Sequence, residues 1–199
     1  ITVTAIISPI FHVFDRFVIG ALAGMAAVAI YTVPFNIMVR IVILPSSWQS
    51  VLFPRYAMIS EEESRRLLRQ SVRCQVWMMT PISVFGILLV KLLLTVWISA
   101  AFATSAAPVG QILIGGLWFY ALAIVPYTLL QGRGRPDTTA MLHVFELCAY
   151  VPVLWVLVSR FGVIGAAWAW TFRVALDMLL LFLCARALDS WRAANSGFV

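Results

Sequence analysis

Charge is what this sequence has least of. Only 11% of its 199 residues are Asp, Glu, Lys or Arg, while 63% are hydrophobic. Water-soluble domains carry roughly 25% charged residues, and a soluble chain this apolar could not cover its own surface. A mean hydropathy of +0.99 excludes the ordinary globular class for the same reason. Cysteine is also scarce. Cys74, Cys148 and Cys184 are too few and too scattered for a disulfide framework or a metal cluster, and within helices cysteine behaves as a small hydrophobe. There is no HExxH pair, no Cys/His metal spacing, no Ser/His/Asp set and no acidic pair at nucleotide-sugar spacing. The expectation is a protein without catalytic residues, metal or cofactor, and not an enzyme.

What the chain does have is six long apolar stretches, at residues 1–19, 27–50, 74–98, 109–131, 138–159 and 163–185. Each is about long enough to cross the roughly 30 Å hydrocarbon core as a helix. Continuous runs of this length exclude a transmembrane β-barrel, whose strands alternate weakly. The expected fold is all-α: a polytopic membrane protein with six transmembrane helices, forming a single lobe over residues 1–199.

The net charge of +6 would suit nucleic acid, but its distribution fits cytoplasmic loops rich in Lys and Arg better. With the N-terminus inside, the cytoplasmic segments hold Arg55, Arg65, Arg66, Arg69, Arg73, Arg133, Arg135, Arg186 and Arg192, against only Arg16 and Arg160 outside. Both ends are therefore expected in the cytoplasm. The chain opens at Ile1 already within an apolar run, which reads as the C-terminal part of a longer protein.

Between the second and third stretches lies a water-facing segment, Ser60–Arg69. Its acidic residues lead and its basic residues follow, as a short helix along the membrane surface prefers given its dipole. Pro34 and Pro45 each remove a backbone hydrogen bond from the second helix and predict kinks there. Gln131–Asp137 reads as a tight basic turn rather than a phosphate loop, since it lacks the P-loop Lys-Ser/Thr. Only Arg160-Phe161-Gly162 joins the last two stretches, which predicts an antiparallel hairpin.

Ionisable groups inside membrane helices are costly and mark functional positions. Asn36, Arg40 and Ser47 share one face of the second helix, with Arg40 near the middle of the span. The functional reading is a cation lining a watery cavity; the structural one is an arginine bonded to broken-helix carbonyls near Pro45. Thr139, His143, Glu146 and Tyr150 form a polar stripe on the fifth helix. It could relay protons, bind a coupling cation or sugar hydroxyls, or serve only as a hydrogen-bonded helix seam. Arg173 and Asp177, with Trp170 one turn earlier, read as an internal ion pair facing the bundle. Ser8, His12 and Asp15 form a stripe on the first helix, with Arg16 beside it. Lys91 reads as a snorkelling lysine.

Several segments together resemble the Wzx-type polysaccharide flippases. They are Asp15-Arg16-Phe17-Val18-Ile19-Gly20, Ala26–Pro34 and Val51-Leu52-Phe53-Pro54, then Gly132-Arg133-Gly134-Arg135-Pro136, Tyr150, Phe161–Ala167, Trp170, Arg173 and Asp177. The resemblance implies one lobe of a two-lobed exporter in the bacterial inner membrane, with the N-terminal lobe lying outside this chain. Such proteins move undecaprenyl-pyrophosphate-linked oligosaccharide between leaflets by alternating access. The implied partners are that lipid-linked oligosaccharide, the bilayer, the other lobe and the polysaccharide polymerase machinery, with no nucleic acid. The family's cationic cavity maps onto Arg40 and Arg173, with Asn36 and Asp177 beside them, while Asp15, His143 and Glu146 are candidates for proton or ion coupling. Two alternatives stay open: a multidrug or cation antiporter of the same superfamily, which would want unpaired carboxylates in its cavity, and an integral-membrane polysaccharide-assembly enzyme, which would want a large outer loop.

Overall fold

A computed structural model describes the backbone over residues 14–195 and the side chains over residues 14–187. Every element among them is helical: α1 over 14–23, α2 (Met25–Ile41), α3 (Ile43–Met58), α4 (Glu61–Trp97), α5 (Ala100–Gly132) and α6 (Pro136–Asn195). Four helical stretches among the described residues are long and apolar enough to cross a membrane: Met25–Met58, Glu61–Trp97, Ala100–Gly132 and Pro136–Ala187. That differs from the expected six separate spans in two ways. Most of the first span, with Ser8 and His12, lies outside the described residues. The fifth and sixth are assigned as one element, α6, with a non-helical break at Gly162 (φ 58°, ψ −137°).

That break is a reversal. Residues 143 and 177, 146 and 173, and 157 and 165 face one another across it, so the two arms of α6 run antiparallel as the hairpin reading expects. Only glycine takes such a backbone readily. The arms also meet so closely that a Cβ on Gly165 would run into the Leu157 carbonyl.

α2 and α3 form one kinked span. The kink sits at Val42, whose N–H reaches back only to the Val39 carbonyl, at 3.2 Å. Pro45 has no N–H to offer the preceding turn, which is why the helix tightens there. The expected short surface helix is not separate. It is the first part of α4, which runs unbroken for 37 residues, or about 55 Å, well beyond one bilayer core. Its start is set by a capping box in which Ser60 accepts from the Glu63 N–H while Glu63 accepts from the Ser60 N–H. Both donors on Ser60 hold the Glu63 carboxyl below its ordinary value.

α5 is the centre of the bundle. Its most apolar window is 67% buried, against 22–28% for the other three stretches, and it packs against α2, α3, α4 and α6. A helix buried all round needs apolar residues on every face, and α5 also supplies small ones that let neighbours approach. At Gly116 the Trp170 ring lies 2.5 Å from where a Cβ would sit. α4 has the opposite character, with Trp77, Phe85, Leu88, Leu92, Val96 and Trp97 all exposed. In water such a face would aggregate; against lipid it is the expected exterior.

α5 ends in a Schellman turn. Gly134 has φ 73°, its N–H bonds the Gln131 carbonyl, and the Arg135 N–H bonds the Leu130 carbonyl. Pro136 then opens α6 at the helical position where a missing N–H costs nothing. Arg133 donates to the Ser60 carbonyl at 3.0 Å, so the basic turn is tied to the start of α4, in keeping with a structural turn rather than a phosphate loop.

Candidate functional site

The polar stripe on the first arm of α6 faces the second arm, and there the charged groups converge. The Arg173 guanidinium lies 3.9 Å from Glu146 Oε2, and His143 Nε2 lies 3.8 Å from Asp177 Oδ1. Beside the expected Arg173–Asp177 couple along one helix, the reversal at Gly162 brings 143 opposite 177 and 146 opposite 173, so two contacts cross the hairpin. The Glu146 side chain is fully buried, its carboxyl lies against that of Asp177, and among the described residues no N–H or hydroxyl donates to either of its oxygens or to Asp177 Oδ1. A carboxylate in that state is costly unless something with charge or a proton stands near it.

One turn farther along, Asp15 of α1 is buried and accepts two tyrosine hydroxyls. Tyr31 of α2 donates at 2.8 Å and Tyr150 of α6 at 2.6 Å. Arg173 also stands over the Tyr150 ring, at 5.6 Å, so the Asp15 cluster and the Glu146 cluster share a wall. Arg16 turns away from Asp15, as adjacent helical residues must, and approaches Asn36 at 3.4 Å and the Phe35 ring at 5.8 Å.

A cavity of about 290 Å³ opens beside the ion pairs. α2 and α3 contribute Met38, Val39, Val42 and Gln49 to its wall; α5 contributes Tyr120, Ala123, Ile124 and Tyr127; and α6 contributes His143, Trp170, Arg173, Asp177 and Leu181. The α2 kink at Val42 lies on this wall, so the broken helix does line the cavity.

Of the predicted site residues, Asp15, His143, Glu146, Arg173 and Asp177 come together. Arg40 and Asn36 do not. Both are exposed on the opposite face of α2, because successive residues turn by about 100° and the inward face is set by Tyr31, Phe35 and Met38. Ser47 is exposed too, but on α3, beyond the kink at Val42. Lys91 is also exposed on α4, away from the cluster. The sequence reading missed Tyr31, Tyr120, Tyr127 and Gln49. The tyrosines carried a usable signal, since a phenol within a membrane span needs a hydrogen-bond partner.

His143, Glu146 and Asp177 are the residues that could hold an ion, with donor atoms within 4.8 Å of one another. Arg173 stands against the same carboxylate, so a cation there would compete with a guanidinium already in place. The arrangement suits exchange of a proton or a weakly held ion better than a tightly bound structural metal.

Residues 1–108 match the family described as polysaccharide biosynthesis protein. The chain is 33% identical over 181 residues to a candidate O-antigen transporter of Shigella flexneri. That alignment covers 90% of this chain and 43% of the other protein, so the chain spans under half the length of that curated relative. No solved structure matches it.

Proposed function

This chain belongs to the polysaccharide biosynthesis protein family, and from that premise we propose that it is one lobe of a two-lobed lipid-linked oligosaccharide flippase. The six passes expected from the sequence are proposed for the lobe: most of the first lies outside the described residues, and the others are the kinked α2–α3, α4, α5 and the two arms of α6. It lies in the bacterial inner membrane with both of its termini in the cytoplasm, where the basic α5–α6 turn would follow the positive-inside rule. The remainder of the protein supplies the N-terminal lobe. Undecaprenyl-pyrophosphate-linked oligosaccharide crosses between the lobes by alternating access, and the polymerase machinery receives it on the far side. The chain is read as a transporter and not an enzyme.

The observation that carries this reading is the set of ionisable groups inside helices of membrane length. Asp15, His143, Glu146, Arg173 and Asp177 sit where α1 and the two arms of α6 meet, beside a cavity. Charge is kept at such depth where an ion or substrate uses it. Asp15, His143 and Glu146 form the coupling site, where a proton or cation exchanges as the arms move. Arg173 and Asp177 form the cavity wall, with Arg173 holding Glu146 in its ion pair. Arg40 and Asn36, exposed on the other face of α2, line the surface turned toward the remainder of the protein, and Arg40 offers a cation to the pyrophosphate.

Proteoliposomes of the full-length protein test both roles. Glu146→Gln should transport with no dependence on a pH gradient, and an unchanged dependence would reduce the stripe to a packing seam. Arg40→Ala should insert normally and lose transport; normal transport would remove Arg40 from the substrate path.

A further inference from the structure

The cavity beside the ion pairs is not built for an anion. Arg173, its one guanidinium, is drawn toward Glu146 at 3.9 Å, and Asp177 on the same wall pairs with His143. A pyrophosphate entering here would meet the Asp177 carboxylate and pull Arg173 off a fully buried acid. Among the described residues Asp177 and Glu146 set two carboxyls here against one guanidinium, so an anion would find no spare positive charge.

What the cavity does offer is aromatic rings with polar edges. Tyr120, Tyr127 and Trp170 contribute to its wall, and Tyr127 is held by stacking on His143, with centroids 6.0 Å apart and planes at 21°. Rings of this kind present an apolar body and a polar tip. A pyranose has the complementary form, with C–H groups on its faces and hydroxyls around its rim. Gln49 can both donate to and accept from such hydroxyls, and Asp177 can accept. Size narrows the choice. At about 290 Å³ the cavity falls at the lower edge of the roughly 300–1,000 Å³ typical of drug-sized sites. One sugar ring fits that space, and the rest of a longer glycan would extend through the open side of the cavity. The cavity also lies in the half of the bundle nearer the basic α5–α6 turn, since Gln49, Tyr127 and His143 all stand toward that end of their helices.

We propose that this cavity is a subsite for one neutral sugar ring of the translocated glycan, and that the pyrophosphate binds outside it. The inference rests on the flippase reading above and divides the substrate between two places.

The test uses the full-length protein, in nanodiscs for labelling and in proteoliposomes for movement, with Cys74→Ser, Cys148→Ser, Cys184→Ser and every other cysteine of the protein replaced, and a reporter thiol on the cavity wall, Val39→Cys. Alkylation of that thiol is timed with three probes: lipid-linked glycan from the source strain, the glycan released from it, and undecaprenyl pyrophosphate without sugar. Both glycan-bearing probes should slow labelling about tenfold at about ten times their dissociation constants, and the sugarless lipid should not. Tyr120→Leu, at a half-buried position, should remove the protection by released glycan. Equal protection by the sugarless lipid overturns the proposal, and so does no protection in a preparation that still moves the lipid. Protection by glycan with no movement across the bilayer keeps the subsite and removes the flippase reading. Neither protection nor movement overturns both.

Discussion

Arg173→Met is the most informative single change. It removes the cation 3.9 Å from Glu146 and leaves that carboxyl fully buried against the Asp177 carboxyl, two acids with no guanidinium between them. At that separation and an effective dielectric constant of about 20, the lost attraction is about 4 kcal/mol. Breaking one side of a buried pair costs about 3–5 kcal/mol in practice, so the two figures agree. Part of the loss has a different source, because the guanidinium also stands over the Tyr150 ring at 5.6 Å, a contact worth about 0.5–2 kcal/mol. The two contributions separate in a double-mutant cycle. Arg173→Met alone should destabilise by about 3–5 kcal/mol. Adding Glu146→Gln should restore most of this, leaving about 0.5–2 kcal/mol from the aromatic contact. The assay is unfolding of the full-length protein in mixed micelles with increasing sodium dodecyl sulfate. A single mutant within about 1 kcal/mol of wild type would refute the reasoning, since surface pairs cost no more than that. A double mutant no better than the single would do the same.

Three further expectations follow from the geometry. Asp15→Asn leaves one acceptor where two tyrosine hydroxyls now bond a carboxylate; it should cost about 2–3 kcal/mol in the same titration, and a neutral result would mean that the three helices are held by packing alone. Gly116→Ala drives a Cβ into Trp170 and Thr171 and should cost about 1–3 kcal/mol, whereas Gly115→Ala, which meets nothing within 4 Å, should be tolerated. The Glu63 carboxyl is lowered by the Ser60 hydroxyl and N–H, so its capping contribution is present above the ordinary glutamate range and is lost as pH falls through the lowered value. Amide protection in the first turn of α4, corrected for intrinsic exchange, should therefore decline on acidification in wild type but not in Glu63→Gln, which has no carboxylate to protonate.

The all-helical class and the hairpin at Gly162 were legible because both follow from local rules: run length against bilayer thickness, and a three-residue connection between long apolar segments. The kink near Pro45 was legible for the same reason, since a missing N–H is a property of one residue. The continuity of α4 was not. Charge distinguishes water-facing from lipid-facing residues, and Arg69 and Arg73 change the environment without interrupting the helix. Pairing across the α6 hairpin was half legible. The stripe at Thr139, His143, Glu146 and Tyr150 announces an interior face, but whether Arg173 meets Glu146 as well as Asp177 depends on the register of the two arms, which the close approach of Gly165 to Leu157 fixes. The rotation of α2 was the largest gap. A lone arginine in mid-span suggests a cavity, yet the inward face is decided by Tyr31, Phe35 and Met38, whose side chains fill the core, and Arg40 is left on the other side.

The central claim is transport of a lipid-linked glycan, and leaflet-to-leaflet transfer measures it directly. The full-length protein is reconstituted in liposomes carrying labelled polyprenyl-pyrophosphate oligosaccharide, and the label reaching the opposite leaflet is counted with time. Transfer in wild type that falls to the protein-free rate in Arg40→Ala is the predicted result. No transfer above protein-free liposomes, with export of a cationic dye in its place, would contradict the claim and assign the lobe to a drug or cation exporter.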